Sequence, residues 1–240
     1  MTGSLVLAHR GASADAPENT LAAFERARGL GADGVELDVR RTADGVPVVH
    51  HDPDVPGVGL LAAIPFATLR RVAPAVPTLE EALDVCAGML VNVEIKCLPW
   101  EPDADPSHAL ARAAVELVVD RGVAGVVSSF DLGAVDAVKA WAPDVPTGYL
   151  VHGRDVAEAA ALARAHGHEW LHPDRAAVLA SPGRTVAVAR DHEVRLDVWT
   201  VDDPDELRTL FAAGVDAVIT NVPGVAVGLR DGDSRPAPPT

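Results

Sequence analysis

The sequence predicts an α/β fold, a single (β/α)8 TIM barrel, and three observations favour it. Apolar runs of four to eight residues, typical of buried strands, alternate with segments that carry apolar residues at helical spacing. The chain has 240 residues, which fits the roughly 250 residues of one such barrel. Similar turns at 31–33, 122–124 and 214–216 end three of the helical segments. This recurrence indicates repeated strand–helix units rather than strands and helices in separate blocks.

Apolar runs and helical spacing together assign the elements in order. The segment after 19 has Leu21, Phe24 and Ala27 on one helical face, with Asn19 as the expected N-cap and Thr20 as an alternative. Expected helices are 20–30, 78–85, 108–121, 132–140, 156–166, 176–190 and 204–213. Expected strands are 5–9, 34–40, 46–50, 90–94, 125–128, 147–151, 170–172, 195–200 and 217–220.

One of these nine strands is surplus to a barrel of eight. The run 46–50 follows 34–40 too closely for a parallel crossover, which needs a dozen or more residues. We therefore expect an antiparallel hairpin that turns at 42–45, where Asp-Gly suits left-handed backbone. Such a hairpin places 50–52 opposite 36–38 and brings His51 to the carboxylates there.

Composition excludes several classes of protein. A formal net charge of -15 argues against nucleic acid or an anionic membrane surface as a partner. Two cysteines make no disulfide framework. We find no signal peptide and no run long enough for stable insertion into a membrane, so a cytoplasmic location is expected. We expect one domain over residues 1–230 and a disordered, proline-containing tail over 231–240.

Charged side chains lie at the ends of the early strands, where an active site forms on parallel α/β scaffolds. Glu36 and Asp38 are two residues apart and share one face of a strand, and Glu94 ends another. Carboxylates gathered at one rim are costly unless they bind a cation or form ion pairs. The trio predicts one divalent cation, and oxygen ligands favour Mg²⁺, Ca²⁺ or Mn²⁺ over Zn²⁺.

Two histidines and two cations lie beside these carboxylates in the predicted arrangement. His9 and His51 are candidates for general acid and base, because imidazole titrates near neutrality. Arg10 and Lys96 are candidate phosphate ligands. Lys96 is one of only two lysines among twenty lysine and arginine residues. Where arginine is the usual cation, this argues against Lys96 being a surface charge that either residue could supply.

Four further residues are weaker candidates. Trp199 ends a late strand and could wall the pocket or simply pack in the core. Asp52 could orient an imidazole or cap the turn at Pro53. His172 and Asn221 follow or end late strands and could line the same rim.

Together these motifs resemble the glycerophosphodiester phosphodiesterase family. Each motif is short, but their order and spacing are specific, and the resemblance spans nearly the whole chain. Later segments at 128–130, 198–201 and 219–221 also resemble family segments. The motifs that carry the resemblance are His9-Arg10-Gly11, Pro17-Glu18-Asn19-Thr20, Glu36-Leu37-Asp38, His51-Asp52 and Glu94-Ile95-Lys96.

The resemblance implies a barrel of the phospholipase C-like phosphodiesterase type, with a short insertion after the second strand. It implies a divalent cation on the acidic trio, acid–base catalysis by the two histidines, and phosphate binding by the two cations named above. In the family mechanism, a glycerol hydroxyl attacks phosphorus and expels the alcohol. Water then opens the cyclic phosphate to give glycerol 3-phosphate.

Several alternatives to hydrolysis of small glycerophosphodiesters stay open. The region 53–60 lacks the arginine and threonines that the family often carries there. The resemblance implies that this region helps to cover the head group of the substrate. A related enzyme acting on lysophospholipids or phosphoinositides would need an exposed apolar rim, which 55–64 could supply. A non-catalytic binder of phosphorylated polyols could dispense with the histidines. A metal-dependent amidohydrolase would be expected to show His-x-His on the first strand. The sequence leaves the alcohol, the preferred metal and the oligomeric state open.

Overall fold

Eight parallel strands close into a barrel in the computed structural model, which describes residues 3–96 and 98–232. The first strand of the barrel pairs with both the second and the last, which closes it. The predicted fold class is thereby confirmed. In order around the barrel, the eight strands are β1 (Leu5–His9), β2 (Gly34–Arg41), β6 (Leu90–Ile95), β7 (Gly125–Ser129), β8 (Thr147–Val151), β9 (Trp170–Pro173), β10 (Arg195–Val198) and β11 (Ala217–Thr220).

Helices cover the outside of the barrel. They are α1 (Leu21–Gly29), α2 (Phe66–Val72), α3 (Leu79–Val85), α4 (Ala109–Asp120), α5 (Leu132–Trp141), α6 (Val156–His166), α7 (Arg175–Leu179), α8 (Pro182–Asp191), α9 (Pro204–Ala213) and α10 (Pro223–Arg230). Among the described residues, we find no helix with both the length and the apolar character needed to cross a bilayer.

Strand alternation separates a helix-facing surface from the barrel interior. Val35, Leu37 and Val39 on β2 are buried in an apolar cluster that includes Phe24 of α1 and Leu83 of α3. Because successive strand residues point to opposite faces, the residues between them face inward. The packing of the helices therefore fixes which way the carboxylates of β2 point.

The predicted hairpin is confirmed. The short strand β3 (Pro47–Val49) pairs antiparallel with β2, and Val49 lies opposite Val39. The His50 N–H then donates to the Asp38 carbonyl at 3.0 Å. The hairpin thus carries His51 back to the level of the inward-facing β2 carboxylates.

The segment after this hairpin is the expected insertion. Strands β4 (Asp54–Val55) and β5 (Gly59–Leu60) pair with each other, and a 3-10 turn at Leu61–Ala63 leads into α2. The apolar side chains of the insertion pack into a small core of their own, which includes buried Val55, Leu61 and Leu69. Much of the apolar content of 55–64 is therefore turned inward rather than presented as an exposed rim.

Local chemistry corrects three predicted elements. Thr20, not Asn19, caps α1, because the Thr20 hydroxyl accepts from the Ala23 N–H. The predicted helix 176–190 is two helices, α7 and α8, because Pro182 has no N–H to continue the first helix and instead starts the second. The predicted strand 195–200 ends at Val198, and Trp199 follows it with only an isolated bridge to Asp174.

Sequence patterns missed α2 and α10. Helix α10 has Pro223 at its first position, a common helix start that was not recognised in the sequence. It ends at Arg230. The predicted disorder of 231–240 concerns residues that mostly lie outside the described part, from 233 onward.

A buried carboxyl on β10 makes stability depend on pH. Burial raises the pKa of Asp197 to about 8, with a further contribution from the charge of Asp216. The Asp197 Oδ1 atom has no hydrogen-bond partner among the described residues. The folded state therefore keeps a proton that the unfolded chain, with an ordinary pKa near 3.8, releases. This group costs nothing at low pH, and its cost grows as pH rises from about 4 to about 8.

We expect the Asp197→Asn variant to lose this dependence. Its free energy of unfolding relative to wild type should improve between pH 5 and pH 8, by as much as about 4 kcal/mol. Urea unfolding of both proteins at several pH values measures the difference. Parallel pH profiles for the two proteins would show that Asp197 is ionised in the folded state at neutral pH.

Candidate active site

Three buried carboxylates meet at the carboxyl end of the barrel. Glu36 and Asp38 face inward from β2, and Glu94 lies opposite Asp38 in the register of β6. At least one ligand oxygen from each lies within 4.8 Å of the other two, and all three residues are buried. The structure therefore gathers the predicted trio, which we call the acidic cluster.

The electrostatics of the acidic cluster are unfavourable without a cation. Burial raises the pKa of Glu36 well above its usual range, and the charges of Asp38 and Glu94 add to this effect. Burial also raises the pKa of Glu94, against the opposing charge of Lys96. The Glu36 Oε1 atom is buried without a hydrogen-bond partner in the described part of the chain. An unpaired buried oxygen between two other carboxylates fits a divalent cation.

The two predicted phosphate ligands flank the cluster. Arg10 Nε lies 3.1 Å from Asp38 Oδ2, and Lys96 Nζ lies 2.9 Å from Glu94 Oε1 and 3.5 Å from Asp38 Oδ1. Burial alone would raise the pKa of Asp38, but the charges of Lys96, Arg10 and His51 lower it. Asp38 is thus the member of the cluster that is held ionised.

Arg10 owes its position to an unusual backbone turn. Its φ is +56°, and Gly11 follows with φ +81°. A Cβ on Gly11 would lie 2.7 Å from the backbone of Ala23, so only glycine fits at this approach to α1. The turn points the Arg10 N–H at Glu36 Oε2, at 3.0 Å.

His9 lies at the end of β1 beside the cluster. Its Nε2 atom is 4.0 Å from Glu36 Oε2, and its Nδ1 atom is 2.7 Å from Asn221 Oδ1. Asn221 is fixed in turn by Asp202, which accepts from its side-chain N–H at 2.6 Å. Burial lowers the pKa of His9, and the charge of Arg10 lowers it further. Asn221, predicted only from its place after the last strand, thus orients this imidazole.

His51 follows β3 and lies near enough to Asp38 for its charge to lower the pKa of that carboxyl. Its Nδ1 atom lies 2.7 Å from Asp52 Oδ1, a hydrogen bond that lowers the pKa of Asp52. Its backbone carbonyl accepts from Arg40 Nε at 2.6 Å. The side chain is about one-third exposed, so it is accessible to a ligand.

An aromatic wall borders the site beyond Lys96. Lys96 Nζ lies 6.0 Å from the Phe130 ring centroid, and Phe130 makes an edge-to-face contact with Trp199 at 5.6 Å. His152 lies 5.9 Å from the same indole. Trp199 donates its Nε1–H to the His172 carbonyl at 2.8 Å.

His172 lies deeper than the predicted rim. It is fully buried, and neither ring nitrogen has a hydrogen-bond partner among the described residues. Burial lowers its pKa to about 3, so the ring is neutral. A Cβ on Gly148 would lie 2.5 Å from His172 Nε2, so the glycine makes room for the ring. Among the described residues, His172 contacts the site through its backbone carbonyl, which accepts from Trp199.

Two residues at the site were not identified from sequence. Asn19 is buried, donates to Asp38 Oδ2 at 2.8 Å and accepts from the Asp38 N–H at 3.3 Å. Arg40 is fully buried and pairs with Glu101 and Asp103, at 2.9 Å and 2.8 Å. An asparagine before a helix resembles a cap, and Arg40 at a strand end resembles a surface charge. Only the tertiary structure distinguishes these roles.

Arg40 connects the backbones of two site segments. Its Nε donates to the His51 carbonyl, and its NH1 lies 3.5 Å from the Lys96 carbonyl. We expect Arg40→Lys, which keeps the charge but loses this fork, to lower kcat by about tenfold to a hundredfold, because small displacements of reacting groups are costly. Steady-state kinetics with a thermal-unfolding check measure the effect.

The neighbouring Arg41→Lys variant is the matched control and should keep wild-type kinetics. A folded Arg40→Lys variant with kcat within twofold of wild type would refute a positioning role for Arg40.

Fold and site together define a class of protein: a (β/α)8 barrel with an acidic cluster, two imidazoles and two cations at the carboxyl ends of its strands. Residues 9–225 match the model of the glycerophosphoryl diester phosphodiesterase family. The chain belongs to this family. The predicted family and enzyme class, a phosphoric diester hydrolase, are confirmed.

Similar proteins cover nearly the whole chain. A glycerophosphodiester phosphodiesterase of Caldanaerobacter subterraneus is 32% identical, over 94% of this chain and 97% of that protein. A probable glycerophosphodiester phosphodiesterase 2 of Mycobacterium tuberculosis is also 32% identical, over 91% and 88%. The crystal structure of a glycerophosphodiester phosphodiesterase from Thermotoga maritima superposes with a TM-score of 0.82 at 28% identity, over 96% of this chain and 100% of that one.

One structural neighbour holds a ligand. The structure of an Oleispira antarctica phosphodiesterase in complex with the product sn-glycerol-3-phosphate has a TM-score of 0.83 at 27% identity, over 95% of this chain and 97% of that one.

Proposed function

We propose that this protein hydrolyses glycerophosphodiesters to glycerol 3-phosphate and an alcohol, with a divalent cation on the acidic cluster and His9 and His51 as the acid–base pair. The observation that carries the proposal is the acidic cluster itself. Three carboxylates within 4.8 Å of one another are flanked by Arg10, Lys96 and an imidazole. Relatives that span nearly the whole chain and share the named activity support the choice of substrate.

The donor set of the cluster consists of carboxylate oxygens from Glu36, Asp38 and Glu94. Hard oxygen donors suit Mg²⁺, Ca²⁺ or Mn²⁺. Such a cation, when bound, would supply positive charge that stabilises the phosphoryl oxygens as negative charge develops on them. The Glu36 Oε1 atom has no hydrogen-bond partner among the described residues, so its lone pair is free to bind the cation.

The site must attract an anion although the chain carries a net charge of -15. Arg10 and Lys96 supply local positive charge beside the acidic cluster. Burial alone would lower the pKa of Lys96, but the charges of Glu94 and Asp38 raise it, so the ammonium stays charged. Both cations can hold a phosphate while they remain close to the carboxylates.

The two histidines carry the proton transfers in this proposal. One imidazole accepts the proton of the glycerol hydroxyl as its oxygen bonds to phosphorus, and the other donates a proton to the departing alcohol oxygen. In the second step, the roles reverse as water opens the cyclic phosphate. Asn221 orients His9, and Asp52 orients His51. Each imidazole therefore has one nitrogen held and the other available for transfer.

The neighbour that contains sn-glycerol-3-phosphate supports the same product for this chain. Lysophospholipids are less well supported, because the insertion buries Val55 and Leu61 in its own core. Trp100, which is 73% exposed on the loop after β6, is one apolar group left at this end of the barrel. Comparing turnover of glycerophosphocholine and lysophosphatidylcholine discriminates between the two substrate classes, and we expect the first to be preferred.

A coupled assay for glycerol 3-phosphate tests the proposal directly. Metal-free protein is supplied with Mg²⁺, Ca²⁺ or Mn²⁺ in turn and offered glycerophosphocholine, glycerophosphoethanolamine and glycerophosphoglycerol. We expect release of glycerol 3-phosphate that depends on the added metal. Binding of these compounds without turnover under every metal would instead favour the non-catalytic binder of phosphorylated polyols.

A further inference from the structure

A second group of metal-binding side chains lies away from the acidic cluster. Asp136 is on α5, His166 is the last residue of α6, and His168 precedes β9. One potential ligand atom from each lies within 4.8 Å of the others. His168 lies before the amino end of its strand, whereas the active site occupies the carboxyl ends. The two groups are therefore at opposite ends of the barrel.

The geometry of the second group already converges on one carboxylate. His166 Nδ1 lies 2.9 Å from Asp136 Oδ1, and His168 Nε2 lies 3.1 Å from the same oxygen. The imidazole rings stack with centroids 6.1 Å apart and an interplanar angle of 18°. In the described part of the chain, both ion pairs of Asp136 are with these histidines. Among the described residues, no lysine or arginine forms an ion pair with Asp136, so its negative charge is available to a metal cation.

Hydrogen bonding on the far side of its ring supports His168 as a ligand. Its other nitrogen, Nδ1, lies 2.9 Å from the Thr147 hydroxyl. That hydroxyl can pass a hydrogen bond to Glu169 Oε2 at 3.4 Å. In a neutral ring that donates its Nδ1–H to Thr147, the Nε2 lone pair can bind a cation held between Nε2 and Asp136. Metal-bound histidines are commonly fixed by such a partner on the second nitrogen.

We propose that Asp136, His166 and His168 form a site for a borderline transition-metal ion, with Zn²⁺ the expected occupant. Two imidazole nitrogens and one carboxylate oxygen are typical zinc donors, and water completes the tetrahedron. His166 is exposed and gives the ion a path in, while fully buried His168 anchors the site to the barrel. A bound ion ties α5 to α6 and to the start of β9.

Zinc binding to metal-stripped full-length protein tests this assignment. Titration calorimetry is run in saturating Mg²⁺, which occupies the hard-oxygen active site, and the visible absorption of Co²⁺ reports nitrogen ligation. Wild type should bind one Zn²⁺ and gain thermal stability. Asp136→Asn and His166→Gln should each weaken this binding at least tenfold, with phosphodiesterase activity unchanged.

Two controls separate the site from other causes of binding. His192→Gln, a partly exposed histidine in the turn after α8, should bind Zn²⁺ like wild type. Glu36→Gln should also bind Zn²⁺ like wild type, because this substitution changes only the active site. The assignment is overturned if wild type binds no Zn²⁺, or if both Asp136→Asn and His166→Gln bind Zn²⁺ at full affinity.

Discussion

We expect the His51→Ala variant to lose about 10²- to 10⁴-fold in kcat, the range that a positioned acid–base group contributes. The His51 imidazole is about one-third exposed, its Nδ1 atom is held by Asp52, and its backbone is held by Arg40. Alanine removes the proton carrier and its contact with Asp52 but keeps the backbone contact with Arg40. The variant keeps Arg10 and Lys96, the proposed phosphate ligands, so KM should change far less than kcat.

The adjacent histidine provides a matched control. The His50 ring is near the Asp54 carbonyl, at 3.2 Å, and belongs to the insertion rather than to the acidic cluster. His50→Ala should retain kcat within severalfold of wild type. A His51→Ala variant with near-wild-type turnover would contradict the proposed acid–base mechanism.

Removal of the divalent cation is the second large effect that we expect. A chelator should reduce turnover to background, and Mg²⁺, Ca²⁺ or Mn²⁺ should restore it. Glu36→Gln should abolish the restoration, because it removes one charge and one ligand oxygen from the cluster. Glu25→Gln, an exposed position on α1, is the matched control and should respond to metal like wild type.

The stability of Glu36→Gln relative to wild type should change sign when metal is added. Because burial raises the pKa of Glu36, its ionised form costs stability at neutral pH when no cation is bound. Metal-free Glu36→Gln should therefore melt above metal-free wild type. Saturating metal should reverse the order by stabilising only the wild type strongly. If the two proteins show the same metal response, the acidic cluster is not the metal site.

Local sequence carries enough information for the barrel and for the centre of the site. Alternation along β2 places Glu36 and Asp38 on one face whatever packs around them, and the tight turn after β2 forces the hairpin that returns His51. These features depend on residues close in sequence, so spacing and turn chemistry predict them.

The remaining site contacts depend on long-range packing. Asn19 reaches Asp38 only because the chain folds back after β1, and Arg40 contacts Glu101 and Asp103 some sixty residues later in the sequence. No periodicity marks such pairs. Pro182 marks the break between α7 and α8, but apolar residues at helical spacing on both sides of it predict one continuous helix.

The cation at the acidic cluster is the claim on which the proposed mechanism depends most. A crystal of active protein soaked in Mn²⁺ and measured for anomalous scattering tests it directly. We predict a peak within about 2–2.6 Å of oxygens from Glu36, Asp38 and Glu94. A crystal that turns over substrate, yet shows no anomalous peak between these three side chains, would contradict it.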